Sequence, residues 1–236
     1  MPSAVVVSCE HGGNTVPRRY AHLFASAGRV LSSHRGYDAG ALDLARELAR
    51  RLRAPLVASR TTRLLVELNR SPHHPRLFSE FSRSLGPDER ALVLERYYVP
   101  FRTELDGRIA RLVGDGRRVV HLSVHSFTPR LRGVTRTADV GLLYDPARRL
   151  EVSFCKAIQL KIRAVRPRIV VRRNYPYRGN TDGLTTYLRS RFPRSAYLGI
   201  ELEVNQKHMK RNGARGGEVR RAVLGALCGE LAGSEE

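Results

Sequence analysis

The sequence predicts an α/β fold, a mixed but largely parallel sheet flanked by helices, and three observations carry that prediction. Short β-branched runs alternate with longer segments of helical periodicity. Three of the strand-like runs are apolar nearly throughout, as strands buried on both faces are. Internal repeats, low-complexity tracts and long Pro/Gly/Ser linkers are absent, so one domain over residues 1–236 is expected. With 42% hydrophobic residues the chain has the material for a core.

Taken in order, residues 4–9 form the first apolar strand. Over 38–53, Leu42, Ala45, Leu48, Ala49 and Leu52 recur every three or four residues, the stripe of a helix packed on a sheet. Strand-like runs follow at 55–59 and 64–68. A helix is expected from Asp88, an N-cap residue type after Gly86-Pro87, towards residue 113, with a kink where Tyr97-Tyr98-Val99-Pro100 interrupts it. The next strands are 119–124 and 140–144. Asp145 as cap and Pro146 at the first helical position open a helix to about residue 165. Strands at 169–172 and 197–204 and a last helix over 217–231 complete the set. In open sheets of this kind, sites gather at the carboxyl ends of the strands.

The net charge is +20 with a pI near 11.1, a field that attracts anions. Only four basic residues are lysine (Lys156, Lys161, Lys207, Lys210), and the arginines are spread along the chain without a stripe or a recognisable module. That argues against a nucleic-acid partner and for steering of a small anionic substrate. No apolar run is long enough to span a bilayer, and the start of the chain lacks the pattern of a secretory signal, so a cytoplasmic protein is expected. Cys9, Cys155 and Cys228 share no metal-site or disulfide spacing and read as small hydrophobes.

Several segment ends carry residues of catalytic type. In Ser8-Cys9-Glu10-His11-Gly12-Gly13-Asn14, His11 leaves a buried strand into a glycine turn, which fixes its base and leaves room for a metal. His125 stands in a similar place in His121-Leu122-Ser123-Val124-His125, whereas His121 reads as a mid-strand residue with a satisfied hydrogen bond. Asp38, ahead of the first helix, is either an N-cap or the carboxylate that completes a two-His, one-carboxylate set. Glu10 competes for that role, although on an extended backbone it faces away from its neighbour His11. In Glu201-Leu202-Glu203-Val204-Asn205-Gln206, Glu203 lies nearer the strand end and suits a general base, with Glu201 a partner for an arginine. Asn69-Arg70 offers an amide donor beside a bidentate guanidinium, a carboxylate clamp.

Taken together and in this order, SCEHGGN, HRGYDAGALDLA, SRTTRLLVELNRS, LSVHSFTP with GVTRTADVGLLYD, NYPYRG and IELEVNQ resemble the N-formylglutamate amidohydrolase family over residues 6–207. The resemblance implies a phosphorylase/hydrolase-like fold, related to zinc carboxypeptidases and aspartoacylases. It implies one Zn2+ on His11, Asp38 and His125, and hydrolysis of an N-acyl amino acid of the N-formylglutamate type by metal-bound water, with Glu203 as base. It also implies a substrate carboxylate held by Asn69 and Arg70; Arg136 and Arg132, placed just after the second His, are read from the sequence as further anion contacts. Two departures stand out: the usual Asp-Leu-Asn-Arg reads Glu67-Leu68-Asn69-Arg70, and the His-x-x-Glu of the carboxypeptidases reads His11-Gly12-Gly13-Asn14. The second leaves the third ligand between Asp38 and Glu10. The alternatives are a peptidoglycan amidase or metallopeptidase on the same scaffold, which the absence of an export signal opposes, and a non-catalytic anion- or nucleic-acid-binding protein, which the charge suggests.

Overall fold

The computed structural model describes residues 3–209 and 214–232; residues 1–2, 210–213 and 233–236 of the expected domain lie outside it. Strand β1 (Ser3–Cys9) leads through 3-10 turns at Arg18–Phe24 and a one-turn α1 (Gly28–Leu31) to α2 (Ala41–Arg51) and β2 (Leu56–Ala58). Helices α3 (Pro87–Val93) and α4 (Val99–Gly114) run on from one another through a π turn at Leu94–Tyr98. Then come β3 (Arg118–Phe127), a small hairpin of β4 (Arg130–Leu131) and β5 (Val134–Thr135), β6 (Val140–Leu143), α5 (Arg149–Val165), β7 (Val171–Arg173), α6 (Leu184–Arg191), β8 (Tyr197–Asn205) and α7 (Ala214–Ala232).

The main sheet has the order β2-β1-β3-β8-β6-β7. Its first four strands are parallel, whereas β6 meets β8 antiparallel and carries β7 parallel to itself. Helices cover both faces. Register gives the central strands two different faces, because side chains alternate. Val7 and Cys9 of β1, Val120, Leu122 and Val124 of β3, and Leu198, Ile200, Leu202 and Val204 of β8 join one apolar cluster with α2, α5 and α7. The opposite face holds Ser8, then His121, Ser123 and His125, then Glu201 and Glu203, with Ser8 beside Ser123 and His125 beside Glu203. That face meets apolar residues of α3, α4 and α6 only towards its amino-terminal end. The near-continuous apolar reading of these strands therefore holds for burial, while one buried face is polar.

Three sequence expectations are corrected, and a fourth, the interruption near Pro100, takes a defined form. Residues 64–68 form turns rather than a strand: Leu64, Leu65, Val66 and Leu68 are buried, but the backbone closes on itself through Leu65 N–H to Thr62 O (3.0 Å) and Glu67 N–H to Leu77 O (2.9 Å). Asp88 is not the cap, since the helix opens with Gly86 at the cap and Pro87 behind it. Asp145 does not cap α5, which starts at Arg149; its carboxylate instead accepts from Ala147 N–H (3.0 Å) in the turn before the helix. The interruption near Pro100 is a π turn that lets the chain pass a residue with no N–H to donate. Helix α6 went unanticipated because Leu184-Thr185-Thr186-Tyr187 has no clear helical stripe. Among the described residues, no helix is long and apolar enough to cross a membrane.

Candidate active site

The carboxyl ends of β1, β3 and β8 lie side by side, so the residues that end them converge. His11 follows β1, and the turn after it presses against the segment beyond β2: a Cβ on Gly13 would meet the Arg60 carbonyl oxygen at 2.6 Å. Asp38 is tied to the same turn by its N–H to His11 O (2.9 Å). It makes no side-chain cap to α2, whose cap is Gly40 at φ 77°. Its Oδ2 lies 2.9 Å from Nδ1 of His125 and 3.3 Å from Nδ1 of His11, and accepts from Ser126 N–H (3.3 Å). One ligand atom from each of the three buried residues lies within 4.8 Å of the other two, and the imidazole centroids are 5.0 Å apart.

Each imidazole has its second nitrogen on a carboxylate. Nε2 of His11 meets Oε1 of Glu67, which Arg63 holds through Nε (2.7 Å) and Nη2 (2.6 Å). Nε2 of His125 lies 2.9 Å from Ser123 Oγ and 3.3 Å from Glu10 Oε2. A carboxylate behind a histidine is the usual support of a metal ligand, fixing the ring and raising its basicity. Two imidazole nitrogens and a carboxylate oxygen within reach of one point, with Nε2 of each ring held from behind, could hold a metal ion.

The electrostatics favour a cation there. Glu10, Asp38, Glu67 and Glu203 are buried around the two imidazoles, with Arg63 the guanidinium bonded to Asp38 (3.3 Å) and Glu67. Burial opposes charge on His125, but its bond to Asp38 and the nearby Glu10 and Glu203 push it up to about 10. Burial likewise opposes ionisation of Asp38 and Glu67, yet His11 and Arg63 hold both well below the usual carboxylate range. Glu203 differs. It is 5% exposed, its Oε2 has no hydrogen-bond partner, and burial pushes its carboxyl up to about 7 despite the neighbouring His125. Its place is secured from β6: Gly141 pairs with Glu203, and a Cβ on Gly141 would meet Tyr175 O at 2.0 Å and the Glu203 Cβ at 3.2 Å.

These groups open onto a cleft of about 220 Å³, whose walls include Asn69, Arg70, His34, Tyr177, Arg178 and Glu201. Asn69 uses its carboxamide oxygen on Leu184 N–H (2.7 Å), and Arg70 is half-buried, with Nη1 on Asp182 O (2.9 Å). Arg136 is 8% exposed and stacks on Phe127 and Tyr177, both cleft residues, at 5.8 and 5.1 Å. Its Nη2 donates to Tyr177 OH (3.1 Å), while its Nη1 is buried without a partner. Arg132 is not at the cleft; it sits with φ 49° beside Gly133 at φ 82°, the two-residue turn of the exposed β4–β5 hairpin. Glu10 stands behind His125 rather than beside Asp38, and Glu201 bonds Thr185 Oγ1 (2.7 Å) instead of an arginine. Sequence reasoning gave no role to Arg63, Glu67 or His34. The i, i+4 spacing of Arg63 and Glu67 was the available signal for that pair.

Residues 3–209 match the profile of a family described as N-formylglutamate amidohydrolase. Among solved structures, gene product Atu2144 from Agrobacterium tumefaciens is 32% identical, with a TM-score of 0.79 over 98% of this chain and 89% of that one. The N-formylglutamate amidohydrolase from Ralstonia eutropha JMP134 is 16% identical, with a TM-score of 0.69 over 100% and 95% of the respective chains, a likeness of fold. No curated protein matches the chain.

Proposed function

The chain belongs to the N-formylglutamate amidohydrolase family, and on that basis we propose that it hydrolyses the amide bond of an N-acyl amino acid of the N-formylglutamate type, as one amidohydrolase domain. His11, Asp38 and His125 would hold one divalent ion, with zinc the best match to the donor set. Such an ion, when bound, supplies polarisation of the acyl carbonyl and acidification of the attacking water.

The chain's own residues do the rest. Glu203, buried beside His125 and shifted to about 7, takes the proton of the attacking water and returns it to the leaving amine; a group poised near neutrality does both efficiently. N-formylglutamate carries two carboxylates; Arg70, with Asn69 beside it, and Arg178 line the cleft, and Arg136 stands behind its Phe127 and Tyr177 wall. Held at both ends, the substrate presents its amide to Glu203 without a further search. A cytoplasmic location is part of the proposal, and cell fractionation tests it.

The observation that carries the reading is the partnerless Oε2 of Glu203 beside a buried His-Asp-His cluster. Elemental analysis and turnover of a panel of N-acyl amino acids test it. One zinc per chain with turnover of N-formylglutamate, lost in Glu203→Gln, is expected. Turnover of neutral N-acyl amino acids as fast as of acidic ones would remove the roles of Arg70 and Arg136. A chain that binds no divalent ion would remove the mechanism.

A further inference from the structure

Behind His125 lies a run of buried polar side chains that the proposed reaction does not use. Glu10 Oε1 accepts from Ser8 Oγ (2.7 Å), and Glu10 Oε2 accepts from Ser123 Oγ (2.9 Å). Ser8 Oγ is also 2.8 Å from Nε2 of His121, and Nδ1 of His121 is 2.8 Å from Tyr197 OH. Ser8, Glu10, His121, Ser123 and Tyr197 are all at most 1% exposed. Water therefore does not compete for these bonds, and each donor and acceptor must be matched within the run.

If each oxygen of buried Glu10 is to have a donor, the proton count has one solution. A carboxylate only accepts, and a serine hydroxyl has one proton to give. Ser123 spends its proton on Glu10, so towards Nε2 of His125 (2.9 Å) it can only accept. That nitrogen must carry a proton, shared between Ser123 Oγ and Glu10 Oε2. Ser8 likewise spends its proton on Glu10 and accepts from Nε2–H of His121, which leaves Nδ1 of His121 to accept from the Tyr197 phenol. The run is thus polarised in one direction, from Tyr197 through His121 and Ser8 to Glu10.

We propose that Glu10, oriented by Ser8 and Ser123, is a positioning residue that fixes a proton on Nε2 of His125 and thereby reserves its Nδ1, the nitrogen facing Asp38, for a metal. Glu10 touches neither substrate nor ion; it acts through His125. The part that concerns the metal rests on the reading above, whereas the placement of the proton does not. Gln at position 10 cannot reproduce the arrangement, because one of its two polar atoms is a donor and the site needs an acceptor towards all three of Ser8, Ser123 and His125.

Two readouts test this. Two-dimensional 15N spectra of the imidazole groups should show a hydrogen-bonded Nε2–H on His125 in chelator-treated protein, where Nδ1 is protonated as well, and should retain the Nε2–H alone when zinc is added. Glu10→Gln should lose or displace that signal and weaken zinc affinity, measured by chelator competition, about 10–100-fold. If Glu10→Gln does not fold, Ser123→Ala serves, with a loss of about two- to tenfold as expected for a neutral hydrogen bond. Absence of that proton in the native protein overturns the proposal, as does unchanged zinc affinity in either folded variant. A native protein that shows the proton but takes up no zinc overturns the metal reading and leaves the placement of the proton standing.

Discussion

Strand β8 passes two buried carboxylates in different circumstances. Near its start, Glu151 accepts from Arg189 Nε (3.0 Å) and Gly199 N–H (3.0 Å) through one oxygen and from Asp145 N–H (2.9 Å) through the other. Arg189 spends its remaining nitrogens on the carbonyls of Gly179 and Gly199. Two side-chain positions beyond Gly199 on the same face, Glu203 keeps one oxygen without a partner. The closed cluster ties α5, α6 and β8 together and has no valence left for chemistry. The open one is kept away from the sheet's hydrogen bonds and leaves an acceptor oxygen free, as the proposed base requires. Burial alone separates nothing here; completeness of hydrogen bonding does.

The largest effect expected from this contrast is on turnover at Glu203. Glu203→Gln should lower kcat about 10²–10⁴-fold, the usual contribution of a positioned acid–base group. Its unfolding temperature should equal the native value or exceed it, because a buried carboxyl with an unmet oxygen is replaced by a neutral isostere. Arg189→Met should do the reverse. Leaving Glu151 buried without its cation costs about 3–5 kcal/mol of stability, read by urea unfolding, with zinc affinity unchanged in the fraction that remains folded. A collapse of kcat in folded Arg189→Met, or of stability in Glu203→Gln, would break the distinction.

Gly141→Ala probes the boundary between the two kinds of role. The new methyl would meet the Tyr175 carbonyl and the base of Glu203, so both packing and placement suffer. A cost of about 1–3 kcal/mol, typical of overpacking, is expected together with a fall in kcat at unchanged zinc affinity. A loss of stability with kcat intact would show that Glu203 tolerates displacement.

Much of this was legible in the sequence, for physical reasons that also mark where legibility stops. His11, Asp38, His125 and Glu203 each stand next to a strong local signal, a buried strand or the start of an amphipathic helix, and the parallel topology brings such ends together. The family resemblance ordered them. Arg63 and Glu67 were hidden because their segment reads as a strand: Leu64, Leu65, Val66 and Leu68 are as apolar as one. Its turns depend on Ser82 Oγ reaching Leu64 O (3.1 Å) from eighteen residues away, which no local pattern contains. Glu10 was legible as a carboxylate but not as a support, since that role needs the register that sets Ser8 beside Ser123. The polar face of β3 and β8 was masked by the equally buried apolar one.

The pH dependence is the most diagnostic of the open cluster, because it reads the protons that the site holds when stripped of metal. His125 is raised from 6.5 to about 10 with Asp38, Glu10 and Glu203 around it, and Glu203 is raised from 4.5 to about 7. A histidine raised in the folded state contributes stability that is complete below 6.5 and lost as the pH climbs towards 10. Glu203 acts in the same direction, its contribution fading between about 4.5 and 7. Asp38 and Glu67, held low, act oppositely, and only as the pH falls through the acid range. Chelator-treated protein should therefore lose thermal stability steadily from pH 6.5 to 10, and His125→Asn should flatten that slope. A zinc ion held as proposed would take the place of the proton facing Asp38, so its stabilising increment should grow over the same interval. Arg189→Met, which removes no bond to His125 or to the carboxylates around it, should lower the whole curve and leave in place the part of the slope that His125→Asn removes. A slope that survives His125→Asn would mean that the protons are held elsewhere, and that the carboxylates around His125 do not govern it.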